Sequence, residues 1–370
     1  MPRLSGGGAQ RVMALLAAGL SREKYEIHVG LVTAGEDAQV VLPPWVTVHT
    51  MRARRVRWGA AALLRLVWRS RPKLILAGTA EVNFLALLLR PFFPPQTAVV
   101  VRQNGSMPAA MHSGAVLRTT RWLYRLLYLR ADRVISQSSS IAEELVRELF
   151  LCPEQIAVLP NPVDLGEIRA AMEAPAARHD RGTRLLAIGR LSHEKGFDLL
   201  LRALAQVRKR FDDVELTIAG TGREETALRL LCQDLHLESA VHFAGYVDCP
   251  YALFPMTDLF VLSSRHEAMP NALLEAAAAG LPIVATPAST GIVDLLRDQP
   301  GAWLAANESA EALTETLIAA LDSIRGGERV RYRFFPSMAN VQGGLSRGSA
   351  VSAGREEKVL ESAARNTLVL

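Results

Sequence analysis

The chain has 370 residues, of which 49% are apolar, with 42 Lys and Arg against 37 Asp and Glu. At roughly 150 residues per domain this length predicts two domains with buried cores, which excludes a largely disordered chain. No run of about 18 uncharged apolar residues occurs, so we expect no membrane-spanning helix, and the start MPRLSGGGAQ lacks the apolar segment of a signal peptide.

Cysteine content and charge distribution indicate the cellular location and the possible partners of the protein. Cys152, Cys232 and Cys249 are isolated and without metal-ligand spacing, which predicts a cytoplasmic protein. Residues 1–165 contain 20 basic and 11 acidic residues, a net charge of +9, whereas the remainder has 22 and 26, a net of −4. A basic half is typical of proteins that meet an anionic membrane, an acidic acceptor or nucleic acid. Because no zinc-finger spacing or RNA-binding aromatic motif accompanies the charge, we expect no nucleic-acid partner.

The first half alternates β-branched runs with helical apolar spacing, which predicts a parallel sheet covered by helices. The predicted strands are 26–33, 46–51, 73–78, 97–103, 133–138 and 156–160. Only residues 1–5 precede the glycine loop that leads into the first predicted helix, near residue 9. The sheet is therefore expected to lack its first strand, which is either missing or encoded upstream.

The second half repeats the pattern after the Asn161-Pro162-Val163-Asp164 segment. Its predicted strands are 184–188, 214–219, 241–243, 259–262 and 283–285, with helices near 197–210, 225–235 and 271–279. We predict a first domain at 1–164, a linker at 165–182 and a second domain at 183–325. Both would be doubly wound α/β domains facing across a cleft, with ligands at the carboxyl ends of the strands.

Residues 326–370 are rich in Gly, Ser and Arg and lose all periodicity. We interpret them as an atypical tail that is loose or disordered, so that its removal should cost little stability.

Three constellations carry candidate chemistry. The first is a glycine loop of Ser5, Gly6, Gly7 and Gly8 that opens a helix. Its bare backbone N–H groups and the positive end of the helix suit an anion such as a diphosphate. A glycine-rich turn of this kind is equally typical of a plain tight turn.

The second constellation follows the first strand of the second half. Arg190 and Lys195 flank the turn after Gly189, where a fork-shaped and a point cation suit a diphosphate. Gly220 and Gly222 follow the next strand and allow close backbone approach. Two solvated loop cations are the alternative interpretation.

The third constellation is a pair of carboxylates, Glu267 and Glu275, eight positions apart around an Ala-rich helix start. Asn271 is predicted to be the N-cap, leaving the N–H groups of Ala272 and Leu273 for a ligand. Carboxylates here can accept hydrogen bonds from sugar and ribose hydroxyls.

Taken together, GRLSHEKGFDLLLRA, IAGTG, SSRHEAMPNALLEAAAAGLPIVAT, IAVLPNPVD and SGGGAQRV resemble the retaining GT-B glycosyltransferases of family 4, over roughly residues 5–320. The resemblance implies that Arg190 and Lys195 neutralise the donor diphosphate, that Glu267 addresses the donor sugar and that Glu275 binds the ribose. It also implies that the glycine loop closes over the donor phosphate, that 1–164 is the acceptor-side domain and that 183–325 is the nucleotide-sugar-binding domain. No metal or other cofactor would be needed, and the sequence has no Asp-x-Asp triplet to hold one.

The implied substrates are a nucleotide-diphosphate sugar as donor and a glycan or lipid-linked acceptor of cell-envelope or exopolysaccharide synthesis. The chain departs from the family pattern at Ala268, where glycine is usual, and at Arg102-Gln103-Asn104, where many relatives have a histidine. Arg102 and Asn104 are therefore candidates for the acceptor side.

Alternatives remain open at this level. The same architecture serves nucleotide-sugar epimerases, and the two unusual ends are also consistent with a degenerate, non-catalytic binding protein. The segment 118–133 interleaves arginines with Trp and Leu. It is either a site for peripheral binding to the inner face of the plasma membrane or the core face of an ordinary helix.

Overall fold

A computed structural model describes residues 8–32, 42–51, 53, 55–105, 116–174, 182–267, 269–326 and 366–370. The chain divides into unit 1, Met1–Pro162 with Pro336–Leu370, and unit 2, Val163–Phe335.

Thirteen strands lie within these described ranges. They are β1 (Tyr25–Leu31), β2 (Thr47–Thr50), β3 (Leu74–Ala77), β4 (Ala98–Gln103), β5 (Arg133–Ser136), β6 (Ile156–Val158), β7 (Thr183–Ile188), β8 (Val214–Ala219), β9 (Val241–Gly245), β10 (Leu259–Leu262), β11 (Ile283–Ala285), β12 (Ala302–Leu304) and β13 (Asn366–Val369).

Eleven α-helices lie in the same part of the chain. They are α1 (Gly8–Gly19), α2 (Ala60–Ser70), α3 (Ala80–Leu89), α4 (Val116–Tyr128), α5 (Ser139–Leu149), α6 (Leu165–Glu173), α7 (Phe197–Val207), α8 (Glu225–Asp234), α9 (Asn271–Ala278), α10 (Thr290–Leu296) and α11 (Ala310–Arg325).

Each unit contains one sheet in which every strand pair is parallel. The order is β2–β1–β13–β3–β4–β5–β6 in unit 1 and β12–β11–β10–β7–β8–β9 in unit 2. The prediction of two parallel α/β sheets covered by helices is confirmed. All four residues of β10 are buried. Such strands are continuous apolar runs in the sequence because parallel sheets are covered on both faces.

Helix α7 illustrates how the sequence pattern produces the packing of unit 2. Its apolar residues recur three and four positions apart, and Phe197, Leu200, Leu201 and Leu204 are buried. They join one core with residues of β7, β8 and α11. This packing fixes the first residues of α7, which follow directly after the loop that contains Lys195.

The main departure from the sequence-based prediction is β13. It lies between β1 and β3, with Ile27 opposite Leu368 and Ile75 opposite Val369. The last residue continues the pairing, since Leu370 donates its N–H to the carbonyl of His28 and accepts from the N–H of Gly30. The sheet therefore has no empty place where its first strand was expected to be missing.

The same residues correct the interpretation of the C-terminal tail at positions 366–370, while positions 327–365 lie outside the described residues. Leu368, Val369 and Leu370 are 4%, 2% and 3% exposed, and Leu368 and Leu370 pack in one core with residues of α1 and β1. An unfilled central position would leave both neighbouring strands with unpaired backbone groups in a buried sheet, which is costly. Removal of everything after about residue 325 is consequently expected to be costly rather than cheap.

We predict that Leu368→Ala lowers the free energy of unfolding by about 2–5 kcal/mol, because it deletes a buried side chain from a packed core. Leu88→Ala in α3 is the matched control, since Leu88 is 56% exposed, and it should cost little. Urea denaturation combined with hydrogen exchange of the β1 amides measures both variants. Equal stability of the two variants would contradict the placement of β13.

Candidate active site

The candidate residues of unit 2 lie on loops at one edge of its sheet. Strand β7 is flanked by β10 and β8, and the carboxyl ends of parallel strands share an edge. The loop after β7 contains Arg190 and Lys195, and the loop after β10 contains Glu267. The sheet order therefore brings together residues that are some seventy positions apart in sequence.

The ion pair between Lys195 and Glu267 is the central contact of this edge. The ammonium of Lys195 donates to Oε1 of Glu267, and the Ser264 hydroxyl donates to the same oxygen over 3.1 Å. Only 23% of the Lys195 side chain and 15% of the Glu267 side chain are exposed. A partly buried pair is screened less by solvent than a surface pair, so it holds the two loops together before any ligand binds.

Gly196 allows this approach of the two loops. Its φ is +61°, in the left-handed region, and a Cβ at this position would lie 2.0 Å from the carbonyl oxygen of Ser263. The Ser263 hydroxyl in turn donates to the carbonyl of Lys195 over 3.0 Å. Only glycine satisfies both the backbone conformation and the space.

Arg190 differs from Lys195 in being solvent-exposed at the end of β7. Among the described residues it has no ion-pair partner. Its guanidinium is thus available to an anion at the edge where Lys195 lies.

Gly189, Gly220 and Gly222 have a packing role in the structure. A Cβ on Gly189 would come within 3.3 Å of the Lys195 stem, one on Gly220 within 1.9 Å of the Gly189 carbonyl, and one on Gly222 within 2.2 Å of the Leu191 carbonyl. The loop after β8 is thereby packed directly on the loop after β7. This contact accounts for these glycines independently of any ligand.

Helix α9 begins one residue earlier than an N-cap at Asn271 would place it. Asn271 is its first residue, and the N-cap position is Pro270, which has no side-chain acceptor. The prediction of Asn271 as the N-cap is therefore wrong. Ala272 and Leu273 lie in the first turn as expected, and because the Leu273 side chain is fully buried, only its backbone can face a ligand.

Glu275 lies in the middle of α9 and is only 4% exposed. The hydroxyl of Tyr251, from the 3-10 helix Pro250–Met256, donates to its Oε1 over 3.3 Å. Tyr251 was not singled out from the sequence, since nothing in the local pattern links position 251 to position 275. A buried carboxylate with this partner is built into the unit, so Glu275→Ala is expected to affect stability as well as binding.

Among the candidate residues of unit 1, Gly8 is exposed, Asn104 is partly buried and Arg102 is buried. Gly8 is the first residue of α1, and Gly7 lies outside the described residues. Arg102 is 0% exposed, and its Nη2 donates to Asn161 Oδ1 over 2.6 Å and to the Leu159 carbonyl over 3.2 Å. Burial lowers the pKa of Arg102 to about 10, which leaves it charged at neutral pH.

Asn104 belongs to the same interior network. Its Oδ1 accepts from Nε of Arg102 over 3.2 Å and from Nε2 of Gln137 over 3.0 Å. Its amide donates to the carbonyl of Gly78. These contacts brace the ends of β3, β4 and β5, and an acceptor contact of Arg102 and Asn104 stays a prediction.

Two features are absent from the described part of the chain. It contains no group of three or more His, Cys, Asp or Glu side chains that could hold a metal ion. None of its helices has the length and apolar content of a membrane span.

Comparison with known families agrees with this arrangement. Residues 6–167 match the model of Glycosyltransferase Family 4, and residues 182–323 match that of the glycosyl transferases group 1. The chain belongs to the group 1 GT-B glycosyltransferases of family 4. It is therefore a transferase of glycosyl groups.

Several curated relatives are named as glycosyltransferases. N-acetylgalactosamine-N,N'-diacetylbacillosaminyl-diphospho-undecaprenol 4-alpha-N-acetylgalactosaminyltransferase of Campylobacter jejuni is 27% identical over 80% of this chain and 81% of its own length. The lipopolysaccharide core biosynthesis glycosyltransferase LpsE of Rhizobium meliloti is 32% identical over 50% of this chain and 53% of its own. The putative colanic acid biosynthesis glycosyltransferase WcaL of Escherichia coli is 29% identical over 72% and 70%.

Solved structures show the same fold at lower identity. Anabaena HepE in complex with UDP is 18% identical, with a TM-score of 0.67 over 98% of this chain and 96% of that chain. Sucrose-phosphate synthase from Thermosynechococcus elongatus is 17% identical, with a TM-score of 0.70 over 99% and 91%. The two Rossmann-like units are those of the GT-B fold.

We predict that Gly196→Ala is more destabilising than Gly245→Ala. Both glycines have positive φ, +61° and +68°, but an added Cβ would collide with the Ser263 carbonyl at position 196 and meet nothing within 4 Å at position 245. Gly245→Ala should cost about 1–2 kcal/mol through its backbone alone, and Gly196→Ala about 1–3 kcal/mol more. Chemical denaturation distinguishes them, and equal costs would rule out a tight contact between the loops.

Proposed function

We propose that this glycosyltransferase uses a nucleotide-diphosphate sugar as donor and transfers the sugar, with retention of anomeric configuration, to a glycan or lipid-linked acceptor of envelope polysaccharide synthesis. The observation that carries the proposal is the convergence of Arg190, Lys195, Glu267 and the first turn of α9 at one sheet edge. Two cations and a helix N-terminus suit a diphosphate, and a carboxylate suits sugar hydroxyls.

The charges match what the reaction needs. The bond from the anomeric carbon to the diphosphate breaks through an oxocarbenium-like state, and negative charge develops on the leaving group. Arg190, Lys195 and the first-turn N–H groups of Ala272 and Leu273 would stabilise that charge, and fixed donors of this kind are effective because they need no reorganisation.

Retention follows from the resemblance to the family. The acceptor hydroxyl attacks the face from which the diphosphate departs, and a departing phosphate oxygen takes its proton. Such a step needs neither a metal nor an enzymic base. Glu267 would contact the donor sugar and Glu275 the ribose.

The acceptor class is supported by the named activities of the relatives. The Campylobacter jejuni relative carries a diphospho-undecaprenol acceptor in its name, and the other two are named for lipopolysaccharide core and colanic acid synthesis. We extend an acceptor of this class, built on a lipid or a growing glycan, to the present chain.

We predict that one nucleotide sugar from a UDP, GDP and ADP panel raises the melting temperature, since a ligand at 100 times its Kd stabilises by about 2.7 kcal/mol. The rate of sugar transfer from that nucleotide sugar to lipid-diphosphate acceptors should fall about 10- to 100-fold in Lys195→Met. The rate should be unchanged in Lys209→Met, because Lys209 is an exposed residue of the same unit and serves as the control. Excess chelator should leave the rate unchanged.

Two outcomes of this experiment would contradict the proposal. Donor turnover without any acceptor would indicate an epimerase. Stabilisation by the donor with no turnover under any condition would indicate a non-catalytic binding protein.

We also propose that unit 1 binds anionic membranes through one face of α4. Leu127 and Tyr128 are buried and form its core face, whereas Trp122, Leu123 and Leu126 are 62%, 48% and 38% exposed. The exposed side chains of Leu129 and Phe150 continue this apolar patch, which also contains Arg125 and Arg130. Aromatic and aliphatic side chains mixed with arginines match an interface with acidic headgroups.

The membrane proposal predicts flotation with anionic vesicles and not with neutral ones. Arg125→Gln with Arg130→Gln should lower binding about 30-fold, because each basic residue near the surface contributes about 1 kcal/mol. Arg202→Gln with Lys209→Gln, two exposed basic residues of unit 2, is the matched control. Binding to neither vesicle, or equal loss in both double variants, would overturn the proposal.

A further inference from the structure

Arg265 connects the two loops that contain the candidate donor residues. It follows β10 and lies two positions before Glu267. Its guanidinium forms a two-pronged pair with the carboxylate of Asp198 in α7, with Nη1–Oδ1 and Nη2–Oδ2 distances of 2.7 Å. Nη1 also donates to the carbonyl of His193 over 2.9 Å.

Three consecutive carbonyls of the Lys195 loop accept hydrogen bonds from the Glu267 loop. The His193 carbonyl accepts from the Arg265 side chain, the Glu194 carbonyl from the Arg265 backbone N–H over 2.8 Å, and the Lys195 carbonyl from the Ser263 hydroxyl over 3.0 Å. The backbone immediately before and at Lys195 is thereby fixed to the loop that contains Glu267.

The pair with Asp198 keeps the guanidinium in this arrangement. Burial acts to raise the pKa of Asp198, but the hydrogen bonds and charge of Arg265 outweigh it, and the pKa lies below its usual value. The hydrogen bonds that Arg265 donates to Asp198 raise the pKa of Arg265 in turn. Bidentate pairs of this geometry fix orientation as well as charge, and both prongs of the Arg265 fork are already occupied.

We propose that Arg265 is a positioning residue that sets the separation of Lys195 and Glu267, and that it acts through Asp198 and the His193 and Glu194 carbonyls without contacting the donor. The proposal rests on the donor site described above. A shift of about 1 Å at a reacting centre can cost about 100-fold in rate, so loss of the bridge should lower kcat more than it raises the donor KM.

The test compares Arg265→Lys, Arg265→Met and Asp198→Asn in steady-state kinetics. We expect each to lower kcat about 10- to 100-fold, with little change in the donor KM, and the Asp198→Asn/Arg265→Met double variant to be no worse than either single one. Arg229→Met, which breaks a surface pair with Glu225, is the control and should behave as wild type.

Other kinetic outcomes would overturn the proposal. If Arg265 held the diphosphate itself, Arg265→Met would raise the donor KM, while Asp198→Asn would leave it unchanged or lower it. Wild-type kinetics in all three variants would also exclude a positioning role.

Hydrogen exchange provides a readout that does not depend on turnover. The amides of Lys195 and Gly196 are bonded to the carbonyls of Ser192 and His193, and we expect them to exchange faster in Arg265→Met and Arg265→Lys but not in Arg229→Met. Unchanged exchange would refute the bridge even if transfer is observed. If the Arg265 variants exchange faster but the wild-type protein shows no transfer, only the proposed function is refuted.

Discussion

The ammonium of Lys195 meets the carboxylate of Glu267 across 72 positions of sequence, and the candidate site depends on this pair. It forms because β7 and β10 are neighbours in a parallel sheet and because Gly196 leaves room for the backbone of Ser263. A diphosphate arriving at this edge would compete with Glu267 for the ammonium. Donor binding would thus take the ammonium away from Glu267, the carboxylate proposed to contact the sugar. Binding of the diphosphate would in this way be coupled to binding of the sugar.

Unit 1 depends on a different constraint, the need of a parallel sheet for a continuous set of strands. The four residues of β13 supply the backbone partners of β1 and β3 and three apolar side chains with Leu370 included. Because buried backbone groups must be paired, a short apolar segment is sufficient to complete the sheet, however far away it lies in the sequence. The sheet and the α1 core then share the same residues.

The sequence predicted most of the fold, because hydrophobic period and turn residues are local signals. All the strands predicted from 26–33 to 283–285 are present. It did not predict β13, since the last five residues, of which only Leu368, Val369 and Leu370 are apolar, are too few to show a period. The N-cap prediction at Asn271 failed because asparagine is a typical N-cap residue. In the structure the extended residue before the helix is Pro270, and Asn271 is already helical.

The site was predicted from the sequence in its residue types but not in its contacts. Family motifs identified Lys195, Glu267 and Glu275, yet the partners Tyr251 and Asp198 come from other elements, and only the tertiary structure brings them together. Arg102 shows what the sequence does not reveal about burial. It is an acceptor-side candidate because it stands where many relatives have a histidine, and the structure buries its side chain among amide and carbonyl groups; its acceptor contact stays a prediction.

The most direct test of the account is a crystal structure with the nucleoside diphosphate that stabilises the protein most. We predict that its diphosphate lies against Arg190 and Lys195, that the ammonium of Lys195 has moved from Glu267 to a phosphate oxygen, and that the ribose hydroxyls reach Glu275. A nucleotide bound away from the carboxyl ends of β7 and β10, with the Lys195–Glu267 pair intact, would contradict the central claim.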